Sequence, residues 1–275
     1  MRTTLLGFMF ALLAACTTVE GTGRGQLNLF SPDQEAELGR EAYEDELKGS
    51  KILPETDPKT IRVQAIGRRV EAAAKIRSPT MAQRMEWTWT VVDDPKSINA
   101  WMVPGGRGAV DTGMVDFVKS DDELAIVMGH EASHALARHG TERVSHGILL
   151  GVGVEVTGAA TGSEAVGEGV SAAVELGLTL PHSREQESEA DDLGLLIAAQ
   201  AGYDPTQAID LWRRMEARGE GTFEFLSTHP SEATRIERLQ RLMPQALEVY
   251  QRAKLDAALP VSTSGEPRSQ SHSDH

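Results

Sequence analysis

The chain has 275 residues, a formal net charge of −14 and a single cysteine. That acidic balance argues against a nucleic-acid partner. A lone cysteine excludes a disulfide framework, so the body must hold by its core and by any metal it binds.

In chain order, residues 1–15 read as an export signal: Arg2 precedes a short apolar run with Leu5, Leu6, Phe8 and Phe10. The run is too short for a lasting membrane span. It ends Leu13-Ala14-Ala15-Cys16, which resembles a bacterial lipobox. The expectation is cleavage before Cys16 and a lipid anchor on that cysteine; a plain secretory signal is the alternative. With Thr17 rather than aspartate behind it, the predicted address is periplasmic, at the inner leaflet of a Gram-negative outer membrane. Residues 16–28, rich in glycine and threonine, read as a flexible tether. Residues 29–250 form the body, about two hundred residues and enough for one domain with a substantial core. The polar stretch 251–275 is expected to be disordered.

Within the body, Ser31-Pro32 with Gln34 three residues past the serine opens a helix. Asp57-Pro58 opens a second, reaching Ile76. Met85, Trp87, Trp89 and Val91 alternate with polar residues, which is strand periodicity. Asp93-Asp94-Pro95 turns the chain into a strand over residues 98–103, and Gly105-Gly106 reverses it into another over 109–115. Asn99, Ala100, Trp101 and Met102 are expected to pair with a substrate backbone by β-augmentation; an ordinary hairpin on the core is the alternative.

Ser120-Asp121-Asp122-Glu123 is a capping box, and a proline-free run follows to His139, with Gly140 as its stop. It carries His130-Glu131-Ala132-Ser133-His134. Residues four apart share a helix face, so the two imidazoles can converge on one zinc ion while Glu131 serves as general base. A pair of ordinary core histidines is the alternative. His139 falls toward the opposite side and reads as a cation compensating the helix C-terminus.

A catalytic zinc needs a third protein ligand. In the acidic stretch 183–192, helical spacing puts Glu187 and Asp191 on one face with Ala190, Gly194, Leu195 and Ala198, small enough for another helix to approach. Glu187 is the expected ligand, with Asp191 holding the outer nitrogen of a ligating histidine. Glu185, Glu189 and Asp192 fall on the far side and read as solvated. Between the two motifs, residues 144–181 are rich in glycine and alanine and suggest either a mobile helical flap over the cleft or plain surface helices. Asp204-Pro205 starts a helix bearing Trp212, and Ser231 starts a last amphipathic one.

The ordered motifs His130-Glu131-x-x-His134, Ser183-Arg184 leading to Glu187-x-x-x-Asp191, Ser227-Thr228-His229-Pro230 and Arg235-Ile236 resemble those of the HtpX/BepA-like metallopeptidases. These belong to the forty-eighth metallopeptidase family, which also holds the CAAX prenyl proteases. Asn99-Ala100-Trp101-Met102 is similar to that family's cleft-lining strand. The likeness runs from about Leu29 to about Leu242 and is greatest to the compact periplasmic lipoprotein members.

The resemblance implies an α+β, predominantly helical, gluzincin-like fold with a small sheet beside the active-site helix, and one Zn²⁺ per chain. It implies that His229 is a switchable fourth ligand or an oxyanion stabiliser. Arg235 ties that region to the site or makes a structural salt bridge. The implied activity is a zinc endopeptidase of the bacterial cell envelope acting on misfolded or unassembled envelope polypeptides. A largely latent protease serving as chaperone or assembly factor for outer-membrane proteins is one alternative; a structural lipoprotein with a vestigial site is another.

Overall fold

The structure, a computed structural model, describes residues 16–150, 181–218, 224–229 and 234–258. The predicted signal, most of the predicted flap and the end of the tail lie outside the described residues.

Where a flexible tether was expected, β1 (Cys16–Thr18) and β2 (Gly25–Leu27) form an antiparallel hairpin, Cys16 facing Leu27 across it. Val19 and Gln26 are buried. The Glu20 carboxylate accepts from the Thr80 and Met81 amides at 2.9 and 3.1 Å, so the hairpin is tied to the body. Composition alone cannot reveal such long-range contacts.

Helix α1 (Pro32–Glu46) starts at the predicted Ser31–Gln34 capping box. In α2 (Pro58–Arg77) the residues Val63, Ile66, Val70 and Ala73 are buried at alternating spacings of three and four, with Ala74 beside them, giving one apolar stripe. The short helix α3 (Pro79–Ala82) leads to three strands, β3 (Thr88–Val92), β4 (Ala100–Met102) and β5 (Arg107–Asp111), arranged in the order β3-β5-β4. β3 runs parallel to β5 and β4 antiparallel to it. Gly105 and Gly106, both at positive φ, make the predicted reversal. The third strand is shorter than expected. After Asp111 the chain enters α4 (Thr112–Phe117), because Gly113 packs its Cα against the Ser97 carbonyl, where a Cβ would lie 2.1 Å from the oxygen.

The core of the molecule is α5 (Asp121–Leu136), buried from Glu123 to its end. Ser120 caps it, accepting from the Glu123 amide at 3.2 Å; the Glu123 carboxylate instead takes the Lys119 amide and a two-pronged ion pair from Arg214. The helix ends at Ala137 rather than at Gly140, and Arg138 adopts φ 60°, unusual for a residue with a side chain. Its guanidinium is held by the buried Glu35 carboxylate at 2.8 Å and the Phe30 carbonyl at 2.6 Å. This break starts α6 (His139–Leu150) in a new direction.

α7 (Arg184–Gln200) crosses α5 at a glycine pair: a Cβ on Gly194 would lie 2.8 Å from His130 Cα, and one on Gly129 would lie 2.9 Å from the Gly194 carbonyl oxygen. α8 (Gln207–Glu216), α9 (Glu224–Thr228) and α10 (Arg235–Ala258) complete the fold. α10 carries regular helix into residues 251–258, which were expected to be disordered. The α+β, predominantly helical fold with its small sheet is as expected. No helix among the described residues is long and apolar enough to cross a membrane.

Candidate active site

Because α5 is a continuous helix, His130 and His134 stand one above the other, with Nε2 atoms 3.1 Å apart. The glycine crossing brings α7 close enough for Glu187 to complete the group: its carboxylate oxygens lie 3.6 Å from His130 Nε2 and 3.4 Å from His134 Nε2. His229, from the end of α9, adds Nδ1 at 3.3 Å from His130 Nε2 and 2.9 Å from Glu187 Oε1. All four side chains are buried.

Tetrahedral zinc with ligands at about 2.0–2.2 Å separates neighbouring donor atoms by about 3.3–3.5 Å. The separations here scatter around that value, and the donors are imidazole and carboxylate, which suit zinc. Protonation states agree. Burial, then His130 and His229, push His134 well below the usual histidine range, leaving the neutral form that a metal requires. Burial alone would raise Glu187, but His229 and His130 outweigh it and keep the carboxylate ionised. The expected cofactor, one Zn²⁺, fits these residues.

The surroundings hold this group in place. Asp191 Oδ1 lies 3.1 Å from His130 Nδ1. Arg235 spans both acids of α7, its Nε 2.7 Å from Asp191 and its Nη2 2.6 Å from Glu187, while its guanidinium lies 4.3 Å over the Trp212 ring. The two readings of Arg235 thus merge: its salt bridges are what tie α10 to the site.

Glu131 is buried, its Oε1 has no hydrogen bond and lies 3.5 Å from His229 Nε2, and burial raises its pKa. Opposing charge pulls His229 the other way: burial would lower it, but Glu131 and Glu187 prevail and raise it.

A cavity of about 310 Å³ opens above Glu131, His134 and His229, walled on one side by Asn99, Trp101 and Met102. β4 is an edge strand of its sheet, and Trp101 packs edge-on against Tyr43 at 5.7 Å. Arg143 and His182, neither anticipated from the sequence, line the same cavity; the His182 ring stacks on His229 at 4.9 Å. Both come from segments flanking residues 151–180, where no periodic signal marked them.

Two other sequence readings fail. His139, expected to point away, is fully buried, with Nδ1 2.8 Å from His134 Nδ1, because the left-handed turn at Arg138 swings it back. Glu189, expected to be solvated, is buried and lies 3.0 Å from His139 Nε2.

Residues 58–243 match peptidase family M48. The chain belongs to peptidase family M48. Among curated relatives it is 33% identical over 231 residues to the mitochondrial metalloendopeptidase OMA1 of Schizosaccharomyces pombe, covering 82% of this chain and 66% of that protein. It is 34% identical over 213 residues to the Saccharomyces cerevisiae protein of the same name, covering 74% and 61%. The chain thus spans somewhat less than two thirds of these relatives' length. A β-barrel assembly-enhancing protease of Yersinia pestis is only 24% identical over 230 residues, covering 78% of this chain and 45% of that protein.

These relatives correct the narrower expectations. A bacterial cell-envelope protease at the periplasmic face of the outer membrane, whether cutting misfolded envelope proteins or aiding outer-membrane assembly, is overturned by similar proteins that are mitochondrial metalloendopeptidases. The HtpX/BepA-like lipoprotein subtype gives way for the same reason. The lipid anchor expected at Cys16 gains no support from them.

Proposed function

We propose that this chain is a zinc metalloendopeptidase that cuts polypeptides bound across the cavity beside β4. The convergence of His130, His134 and Glu187 donor atoms beside the buried Glu131, whose Oε1 accepts no hydrogen bond, carries this reading. Zinc, when bound, supplies a Lewis acid that acidifies water and polarises a carbonyl. Glu131, at the wall of the cavity with a pKa raised by burial, takes the water proton and returns it to the leaving amine. Asp191 orients His130, and Arg235 holds Asp191 and Glu187 in register. Asn99, Ala100, Trp101 and Met102 offer the substrate an edge strand along the cavity wall.

His229 favours a second reading of the same site. Its Nδ1 stands among the ligand atoms, as a fourth donor would in a closed, resting form. If so, His229→Ala raises cleavage; if His229 stabilises an oxyanion, it lowers cleavage. The names of the relatives favour a mitochondrial setting.

The test is digestion of an unfolded protein such as casein by the zinc-loaded chain and by Glu131→Gln, with products read by mass spectrometry. Internal fragments from the wild type alone support the proposal. Terminal ladders, or equal cutting by both proteins, refute it.

A further inference from the structure

The support for His130 is visible in the α7 spacing, but among the described residues His134 has no carboxylate at its outer nitrogen. In its place stands His139, fully buried, with Nδ1 2.8 Å from His134 Nδ1. His139 Nε2 lies 3.0 Å from Glu189 Oε2. Glu189 in turn accepts from Arg24 Nε at 2.6 Å and from the Thr22 hydroxyl. Arg24 reaches on with both terminal nitrogens to Glu142, at 2.7 and 2.8 Å.

The geometry points to a positioning relay for His134 that runs through His139 and Glu189 and is clamped by Arg24 of the N-terminal hairpin. The inference rests on the proposal that His134 binds metal through Nε2. With Nε2 turned to the metal, the single proton of a neutral His134 lies on Nδ1 and must donate outward. The ring atom at hydrogen-bond distance from it is His139 Nδ1, which can accept only if the His139 proton lies on Nε2. Glu189 enforces that choice, because its ionised carboxylate can only accept. One carboxylate thus fixes two tautomers in series, and the ring of His134 is held at the angle that aims Nε2 at the metal.

Arg24 explains why Glu189 can be buried in its charged form. It comes from the hairpin between β1 and β2, far in sequence from the helices that carry the ligands. The hairpin is therefore part of the support of the metal site. A packing role alone would not need a proton acceptor at position 139; any side chain of similar volume would serve.

The experiment uses the full chain and the zinc ion itself, with affinity measured by competition against a chromogenic chelator. The Co²⁺-substituted visible spectrum reports ligand geometry, and circular dichroism of the apo protein controls for folding. His139→Leu, which fills space but accepts nothing, should weaken zinc binding about 10–100-fold and alter the cobalt spectrum. His139→Asn, whose amide oxygen can stand where Nδ1 was, should recover part of that loss. Arg24→Met, at the partly exposed end of the chain of contacts, should weaken binding by less than about tenfold.

Should His139→Leu bind zinc as well as His139→Asn or better, the effect would be packing and the relay would be overturned. Should both position-139 variants fail to fold, Arg24→Met decides: weaker zinc binding supports the relay, and unchanged binding overturns it. A wild type that takes up no zinc refutes the proposed function itself, whereas normal wild-type binding with unaffected variants refutes the relay alone.

Discussion

The two imidazoles proposed to hold zinc, His130 and His134, sit one helical turn apart and are supported in opposite ways. His130 is held from within the ligand machinery: Asp191 lies one turn past Glu187 on α7, and a fully buried Arg235 joins both acids. Trp212 packs against both the His130 ring and the Arg235 guanidinium. His134 is held from outside, by a residue past the end of its own helix, an acid on the opposite side of α7, and an arginine from a hairpin more than a hundred residues earlier. One side is short, dry and local; the other is long, partly solvated and assembled from distant segments. The contrast shows that a helical spacing rule can supply one outer-shell partner cheaply, while the second must come from tertiary structure.

Glu131→Gln separates chemistry from support on both sides. It should lower kcat by about 10²–10⁴-fold while zinc stoichiometry stays at one, since a positioned base contributes on that scale; steady-state kinetics with elemental analysis checks it. Arg235→Met strikes the support of His130 and, through Glu187, the donor shared by both sides. It leaves Asp191 and Glu187 buried without their cation, and loss of one partner from a buried pair costs about 3–5 kcal/mol in denaturant unfolding of the apo protein.

Gly194→Ala pushes the two sides apart at once, because the new Cβ would meet His130 backbone atoms at 2.8 Å. Overpacking of this kind costs about 1–3 kcal/mol, and zinc affinity should fall with stability.

The smallest effect is acid sensitivity on the His134 side. Burial would raise Glu142, but hydrogen bonds from Arg24 and Gln186 outweigh it and lower its pKa below the ordinary 4.5. A carboxylate depressed in the folded state adds stability that is present above its unfolded pKa and is lost as pH falls through the folded value. Urea midpoints of the apo protein should therefore drop as pH falls below about 4.5, and Arg24→Gln should make that drop shallower.

The α5 and α7 faces were legible because both obey the 3.6-residue period: His130 and His134 share a face by spacing within α5, and Glu187 and Asp191 by spacing within α7. The small residues around Gly194 announced the close crossing for the same reason. His139 and Glu189 were misread by that same rule. Extending α5 past Leu136 sends His139 to the far side, but Arg138 breaks the helix in a conformation that glycine usually marks. What stabilises the break is Glu35, about a hundred residues away, and no local pattern carries that contact. The hairpin was misread because composition rich in glycine and threonine says nothing about Glu20 and Arg24 finding partners across the fold. Residues 109–115 were expected as one strand, yet the strand ends at Asp111 and a helix starts at Thr112, with Gly113 packed against the Ser97 carbonyl.

The most direct test of the account is a crystal of the zinc-loaded protein with anomalous difference density recorded at the zinc edge. It should show one peak, about 2.0–2.2 Å from His130 Nε2, His134 Nε2 and a Glu187 oxygen. A zinc-loaded crystal with no peak at that cluster, or with Glu187 turned away from the metal, would contradict it.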